Sequence, residues 1–189
     1  KRRLAYSTIS QISYILTALF LFTQTAFTGA LLHTVVHAAV KTCLFLTAGA
    51  IIFNTGKTRV DELKGIGKQM PITMWSFTLA SIALIGIPPT GGFTSKWLIA
   101  TSALDSALPV FSWLIPVVLL VSALLTAGYL LPITIDAFFP GKDFPVVCKR
   151  IESPVMWAPI AILAAIAVLI GIFPTLLTDF ASGIASLIA

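Results

Sequence analysis

The chain has 189 residues, 58% of them hydrophobic and only 10% charged, with a formal net charge of +5. A soluble domain carries roughly 25% charged residues, so this composition excludes a lone water-solvated globule; the mean hydropathy of +1.01 makes lipid the solvent for most of the chain. The cysteines, Cys43 in an apolar run and Cys148 in a polar loop, offer neither metal-ligand spacing nor a disulfide framework.

Lys1-Arg2-Arg3 leads straight into a long apolar run, without the short hydrophobic region and small-residue cleavage site of a signal peptide. This pattern reads as a fragment of a longer membrane protein. Five segments reach the roughly 20 apolar residues that a bilayer's hydrocarbon core requires. They are predicted at 7–27, 29–53, 72–103 with a break at 87–93, 110–138 and 155–173. The expected fold is an all-α, polytopic transmembrane bundle of about five spanning helices, one of them discontinuous, forming a single membrane domain. Pro71 suits the first turn of the third helix, where its missing N–H would have no partner anyway. Pro116, Pro132 and Pro159 are expected to kink helices or lie near their ends, and Asp105, Asp136, Glu152 and Asp179 to sit at solvated ends.

If the broken third segment crosses once, the loops alternate sides. Lys1, Arg2, Arg3, Lys57, Arg59, Lys64, Lys68, Lys142, Lys149 and Arg150 then share one side, and no Lys or Arg falls in a loop on the other. Such an asymmetry predicts that loops 54–70 and 139–153 are cytoplasmic, in a cell (inner) membrane. The same placement excludes nucleic acid as a partner, because no basic patch with interleaved aromatics accompanies the charges.

The two remaining lysines lie inside hydrophobic segments. Lys41 is about 12 residues from either end of the second segment, or about 18 Å at 1.5 Å per residue, beyond the reach of a snorkelling side chain. An ammonium at mid-bilayer costs roughly 2.5–3.5 kcal/mol on insertion scales and normally faces a bundle interior or hydrated cavity. Desolvation disfavours its charged form, which suits a group that exchanges protons along an ion path. A misjudged helix boundary or a structural ion pair is the alternative. His33 and His37 fall at i, i+4 and i+8 with Lys41, within one stripe about 12 Å long. Imidazoles titrate near neutrality and both donate and accept, so the three residues are expected to form a proton relay.

The third segment carries Gly86-Ile87-Pro88-Pro89-Thr90-Gly91-Gly92-Phe93-Thr94-Ser95-Lys96. Pro88 and Pro89 remove two N–H donors, and Gly91 and Gly92 are expected to supply unusual backbone conformations. A broken helix at membrane depth persists where it is buried in protein or lines a water-filled cavity, and half-helix ends bring freed backbone groups to ions. Lys96 follows the break, with Thr94 and Ser95 as its expected hydroxyl partners. Thr8, Ser10, Gln11, Ser13 and Tyr14 make the first segment unusually polar, which suits hydrated packing or helix–helix hydrogen bonds.

Three stretches resemble the antiporter-like membrane subunits shared by respiratory complex I, membrane-bound hydrogenases and Mrp-type cation/proton antiporters. They are Lys1-Arg2-Arg3-Leu4-Ala5-Tyr6-Ser7, His33-x3-His37-x3-Lys41-x2-Leu44-Phe45-Leu46, and Gly86-Ile87-Pro88-Pro89-x2-Gly92-Phe93-x-Ser95-Lys96. The likeness is greatest to the Mrp D-type branch. It implies inverted five-helix repeats, each with one broken helix, and makes this chain most of a second repeat plus a following helix. By motif match Lys1 resembles the family's central lysine at the repeat junction and Lys41 its mid-channel lysine. His33 and His37 resemble the connecting histidines, and Lys96 the charged residue on the second broken helix, which is glutamate in some members. The expected function is proton or cation/proton translocation with other membrane subunits, moving H⁺ or also Na⁺ or K⁺. The alternatives are a subunit of a redox pump rather than an antiporter, and a scaffold with no ion path. The sequence shows no paired carboxylates, metal cluster, nucleophile–base set or redox-cofactor motif, so no enzyme site, metal or cofactor is expected.

Overall fold

A computed structural model describes residues 2–107, 109–140 and 152–187; Lys1, Cys148 and most of loop 139–153 lie outside them. Among the described residues the regular structure is helical throughout: α1 (Arg2–Leu19), α2 (Gln24–Thr55), α3 (Pro71–Ile85), α4 (Gly91–Leu104), α5 (Pro109–Phe138), α6 (Pro154–Ile172) and α7 (Thr175–Ala185). The all-α bundle holds. Helices α2, α5 and α6 are long and apolar enough to cross a membrane, and α3 and α4 are the halves of the discontinuous segment.

In α1 the buried positions are Leu4, Ser7, Gln11, Tyr14 and Ala18, a stripe at helical spacing that faces α2. Polar residues dominate that stripe, while Tyr6, Ile9, Ile12 and Leu16 face outward. This inversion of a water-soluble pattern is what a lipid solvent selects.

The first boundary differs from the expected one. Helix α1 ends at Leu19, and α2 begins at Gln24 rather than near residue 29. Thr23 supplies the reason: in extended conformation, its hydroxyl accepts from the Ala26 N–H at 3.2 Å, an N-cap bond that starts the helix. Phe22 turns the chain with φ 51. Gly29 is no break but lies inside α2, where an added Cβ would meet Ile99 Cγ1 at 3.0 Å. Helix α2 then runs for 32 residues, ending on left-handed Gly56, and is about 48 Å long. It packs against α1, α3, α4, α6 and α7 and forms the axis of the bundle.

The loop between α2 and α3 contains short 3-10 turns at Val60–Leu63 and Ile66–Lys68. It is fixed to the end of α5 by the Gly65 N–H, which donates to the Asp136 carbonyl at 2.9 Å. An exposed Arg59–Asp61 pair at 3.0 Å ornaments its outer side, and the Arg59 hydrogen bond holds the Asp61 carboxyl below its ordinary range. Pro71 opens α3 as expected. Its first turn is capped from a distant segment, because Glu152 accepts from both the Thr73 N–H, at 2.7 Å, and the Thr73 hydroxyl. Glu152 is therefore a structural cap rather than a free solvated end. Pro116, Pro132 and Pro159 all lie inside their helices. Pro174 ends the last predicted segment, and the chain continues as α7, which packs on α2.

Candidate functional site

The break between α3 and α4 is built by three glycines in two different ways. Gly86 ends α3 with φ 91, a left-handed conformation that favours glycine. Gly91 and Gly92 have no positive φ, contrary to the expectation that they supply unusual conformations; they supply space. A Cβ on Gly92 would lie 1.9 Å from the Ala83 carbonyl oxygen and one on Gly91 would lie 2.8 Å from Ile170 Cγ2. The start of α4 thus lies directly against the end of α3. Pro88 and Pro89 are exposed at the turn. Gly171 of α6 completes the seat, since a Cβ there would lie 2.1 Å from the Pro89 carbonyl oxygen.

Lys96 uses the backbone that this break frees. Its Nζ donates to the Leu84 and Ile85 carbonyls at 2.8 and 2.9 Å, the last orphan acceptors of α3. The expected hydroxyl partners do not hold it. Ser95 turns the other way to meet His33, and Thr94 is half-buried. The ammonium also lies 5.6 Å from the centre of the Tyr14 ring, a favourable cation–π placement.

Lys41 is 6% exposed. Its Nζ donates to the Leu4 carbonyl at 2.8 Å and to the Ser7 hydroxyl, both on α1. Among the described residues no carboxylate pairs with it; the ion pair there is Arg59–Asp61, out in the loop. A structural ion pair therefore does not account for a lysine at this depth.

Between the two amines, His33 is 2% exposed and bonded at both ring nitrogens. Nδ1 meets Ser95 Oγ at 2.9 Å and Nε2 meets Gln11 Oε1 at 3.1 Å. His37 stacks on it with ring centroids 6.2 Å apart and planes 15° from parallel. Stacked imidazoles present faces rather than nitrogens to one another, so the two histidines do not form a direct hydrogen-bonded ladder. Among the described residues His37 Nδ1 and Gln11 Nε2 are buried without a hydrogen-bond partner. Tyr14 extends the polar cluster sideways, its hydroxyl reaching Ser10 at 3.0 Å and also Ser122 of α5.

The structure thus brings Lys41, His37, His33, Ser95 and Lys96 into one polar axis along α2 and α4, with partners from α1. Sequence reasoning did not give Ser7, Gln11 and Tyr14 their places in it. The signal was available in the 4-7-11-14-18 stripe, whose polar members recur on one face of α1.

A buried amine on the discontinuous helix pair, with a second on the long helix packed beside it, defines the class: an integral membrane protein with a discontinuous helix. The chain belongs to the family described as NADH:quinone oxidoreductase/Mrp antiporter, TM, which matches residues 1–126. It is similar to an NADH-quinone oxidoreductase subunit of Desulforudis audaxviator, 44% identical over 110 residues that cover 58% of this chain and 22% of the relative. It also resembles a Na(+)/H(+) antiporter subunit of Alkalihalophilus pseudofirmus, 41% identical over 103 residues, or 54% of this chain and 21% of that one. These matches span about a fifth of each relative's length. Its fold is that of a chain in the Mrp complex from a Dietzia species, with a TM-score of 0.87 at 24% identity over 97% of this chain and 41% of the other. A chain of an archaeal membrane-bound sulfane sulfur reductase superposes with a TM-score of 0.85 at 29% identity, over 98% of this chain and 36% of the other.

Proposed function

We propose that this chain is the lysine-bearing half of a proton or cation/proton translocating subunit in a multi-subunit membrane complex. The observation that carries the reading is the enclosed Lys41 ammonium, bonded among the described residues to neutral oxygens of α1. A cation at that depth without a counter-charge is costly to keep, and losing and regaining a proton gives it a use. Charge leaving Lys41 moves past His37 and His33 toward Lys96 at the broken helix. Lys1 joins the same path through its likeness to the family's central lysine.

Moving one elementary charge against 100 mV requires about 2.3 kcal/mol. Lys41, Lys96 and the histidines can hold or release protons but cannot supply that energy. It must come from a partner, either an electron-transfer module or a gradient of Na⁺ or K⁺. Relatives named for NADH-quinone oxidoreductase and for a Na(+)/H(+) antiporter support both parent complexes. We place the chain in a cell (inner) membrane with loops 54–70 and 139–153 on the cytoplasmic side, following the distribution of Lys and Arg. In repeat terms, the break and the Lys41 helix belong to a second repeat of an antiporter-like subunit and α6–α7 to the segment after it.

The test is proton flux in vesicles carrying the full-length protein in its complex. Lys41→Met should abolish flux with assembly intact, whereas Lys68→Met, in the exposed loop, should leave it unchanged. Wild-type flux in the Lys41→Met protein would reduce the chain to a scaffold.

A further inference from the structure

His33 is held from two helices at once, and its two partners have different chemistry. The Gln11 oxygen facing Nε2 is an amide carbonyl, which can only accept. The Ser95 hydroxyl facing Nδ1 can donate or accept, and it also lies 3.2 Å from the Gly92 carbonyl in the first turn of α4. Gln11 is 1% exposed and Ser95 fully buried, so water does not compete for either contact.

We propose that Gln11 and Ser95 are positioning residues that fix His33 in the Nε2–H tautomer and restrict its proton exchange to Nδ1, the side of the helix break. In the neutral ring Nε2–H donates to Gln11, and Nδ1 accepts from the Ser95 hydroxyl. Uptake of one proton at Nδ1 makes the imidazolium; Nδ1–H then donates to Ser95 Oγ, and the hydroxyl hydrogen turns to the Gly92 carbonyl. No other bond is made or broken. His33 is therefore a one-sided store that reports to the first turn of α4, not a ring through which protons pass from one nitrogen to the other. The bond to the second nitrogen of a histidine commonly decides which one carries the proton. This inference rests on the translocation reading for its consequence, but the tautomer itself can be observed without any transport.

The experiment uses the full-length protein in its complex with ¹⁵N-labelled histidine, the His33 signals being identified by difference against His33→Gln. Solid-state spectra at a pH where the ring is neutral should show His33 as the Nε2–H tautomer. In Gln11→Leu, of similar volume but with no acceptor, the Nδ1–H form should appear. A Nδ1–H ring in the wild type, or a spectrum unmoved by Gln11→Leu, would overturn the proposal. In flux, Ser95→Ala should fall clearly below the wild type, and Ser95→Thr, which keeps the hydroxyl, should restore it. Normal flux in Ser95→Ala, with Lys41→Met inactive in the same vesicles, would sink this inference alone. Normal flux in both would sink the translocation reading instead.

Discussion

The energetics of Lys41 are set by how few acceptors meet its charge among the described residues. Leu4 O and Ser7 Oγ are its acceptors, and the Ser7 hydroxyl in turn donates to the same Leu4 carbonyl at 3.0 Å. Hydrogen bonds to charged groups contribute about 1.5–3 kcal/mol each. Ser7→Ala should therefore destabilise the protein by about that amount, read as a lower thermal unfolding midpoint of the complex, with Ser7→Thr close to wild type. No change in Ser7→Ala would mean that the amine finds another acceptor. At this scale much of the site was legible in the sequence. A lysine or histidine inside an apolar run is conspicuous, because burial of such groups is expensive and so seldom accidental. Their partners were not legible. Ser7, Gln11 and Tyr14 are ordinary residues for a helix interface, and nothing along the chain says that α1 lies against α2 in the register that brings Gln11 to His33. That register comes from packing among α1, α2 and α4, a property of three helices together.

The elements show the same division. Two successive prolines and the glycines beside them announce the broken helix, and Gly86 and Thr90 frame it as α3 ends and α4 begins. The helix start at Gln24 was legible in principle, since Thr23 is a good N-cap, but the apolar Phe20-Leu21-Phe22 just before it hides it from a hydropathy argument. Gly171 was invisible for another reason. Its demand is imposed by the Pro89–Gly91 backbone, a segment distant in the chain. Gly171→Ala should push α6 off the break and cost about 1–3 kcal/mol, the usual toll of overpacking, seen as a reduced yield of assembled complex. A fully stable Gly171→Ala protein would show that α6 yields easily. Glu152→Gln should loosen the start of α3 by about 0.5–2 kcal/mol, as expected for a lost helix cap, because a neutral amide is a weaker acceptor for the Thr73 N–H and hydroxyl.

The described residues form a set of apolar helices around a long central one, α2. The outward face of the set is strongly apolar: Trp113, Leu120, Leu124 and Leu125 of α5 and Ile162 and Leu169 of α6 are all exposed. The bundle class followed directly from composition. The chain aligns with only about a fifth of its curated relatives' lengths, so the proposed translocation is tested in the longer proteins. Orientation is a property of this scale too. In a background without other cysteines, Lys68→Cys should react with a membrane-impermeant maleimide from the cytoplasmic face alone. Labelling from the opposite face would invert the topology read from the Lys and Arg distribution.

Flux through the assembled full-length protein carrying Lys41→Arg separates a proton carrier from a fixed charge. Arginine retains the positive charge and can donate to the same oxygens, yet it does not release its proton at any physiological pH. If Lys41 works by giving up and retaking a proton, Lys41→Arg assembles normally and carries no proton flux. Wild-type flux through the Lys41→Arg protein would contradict that account.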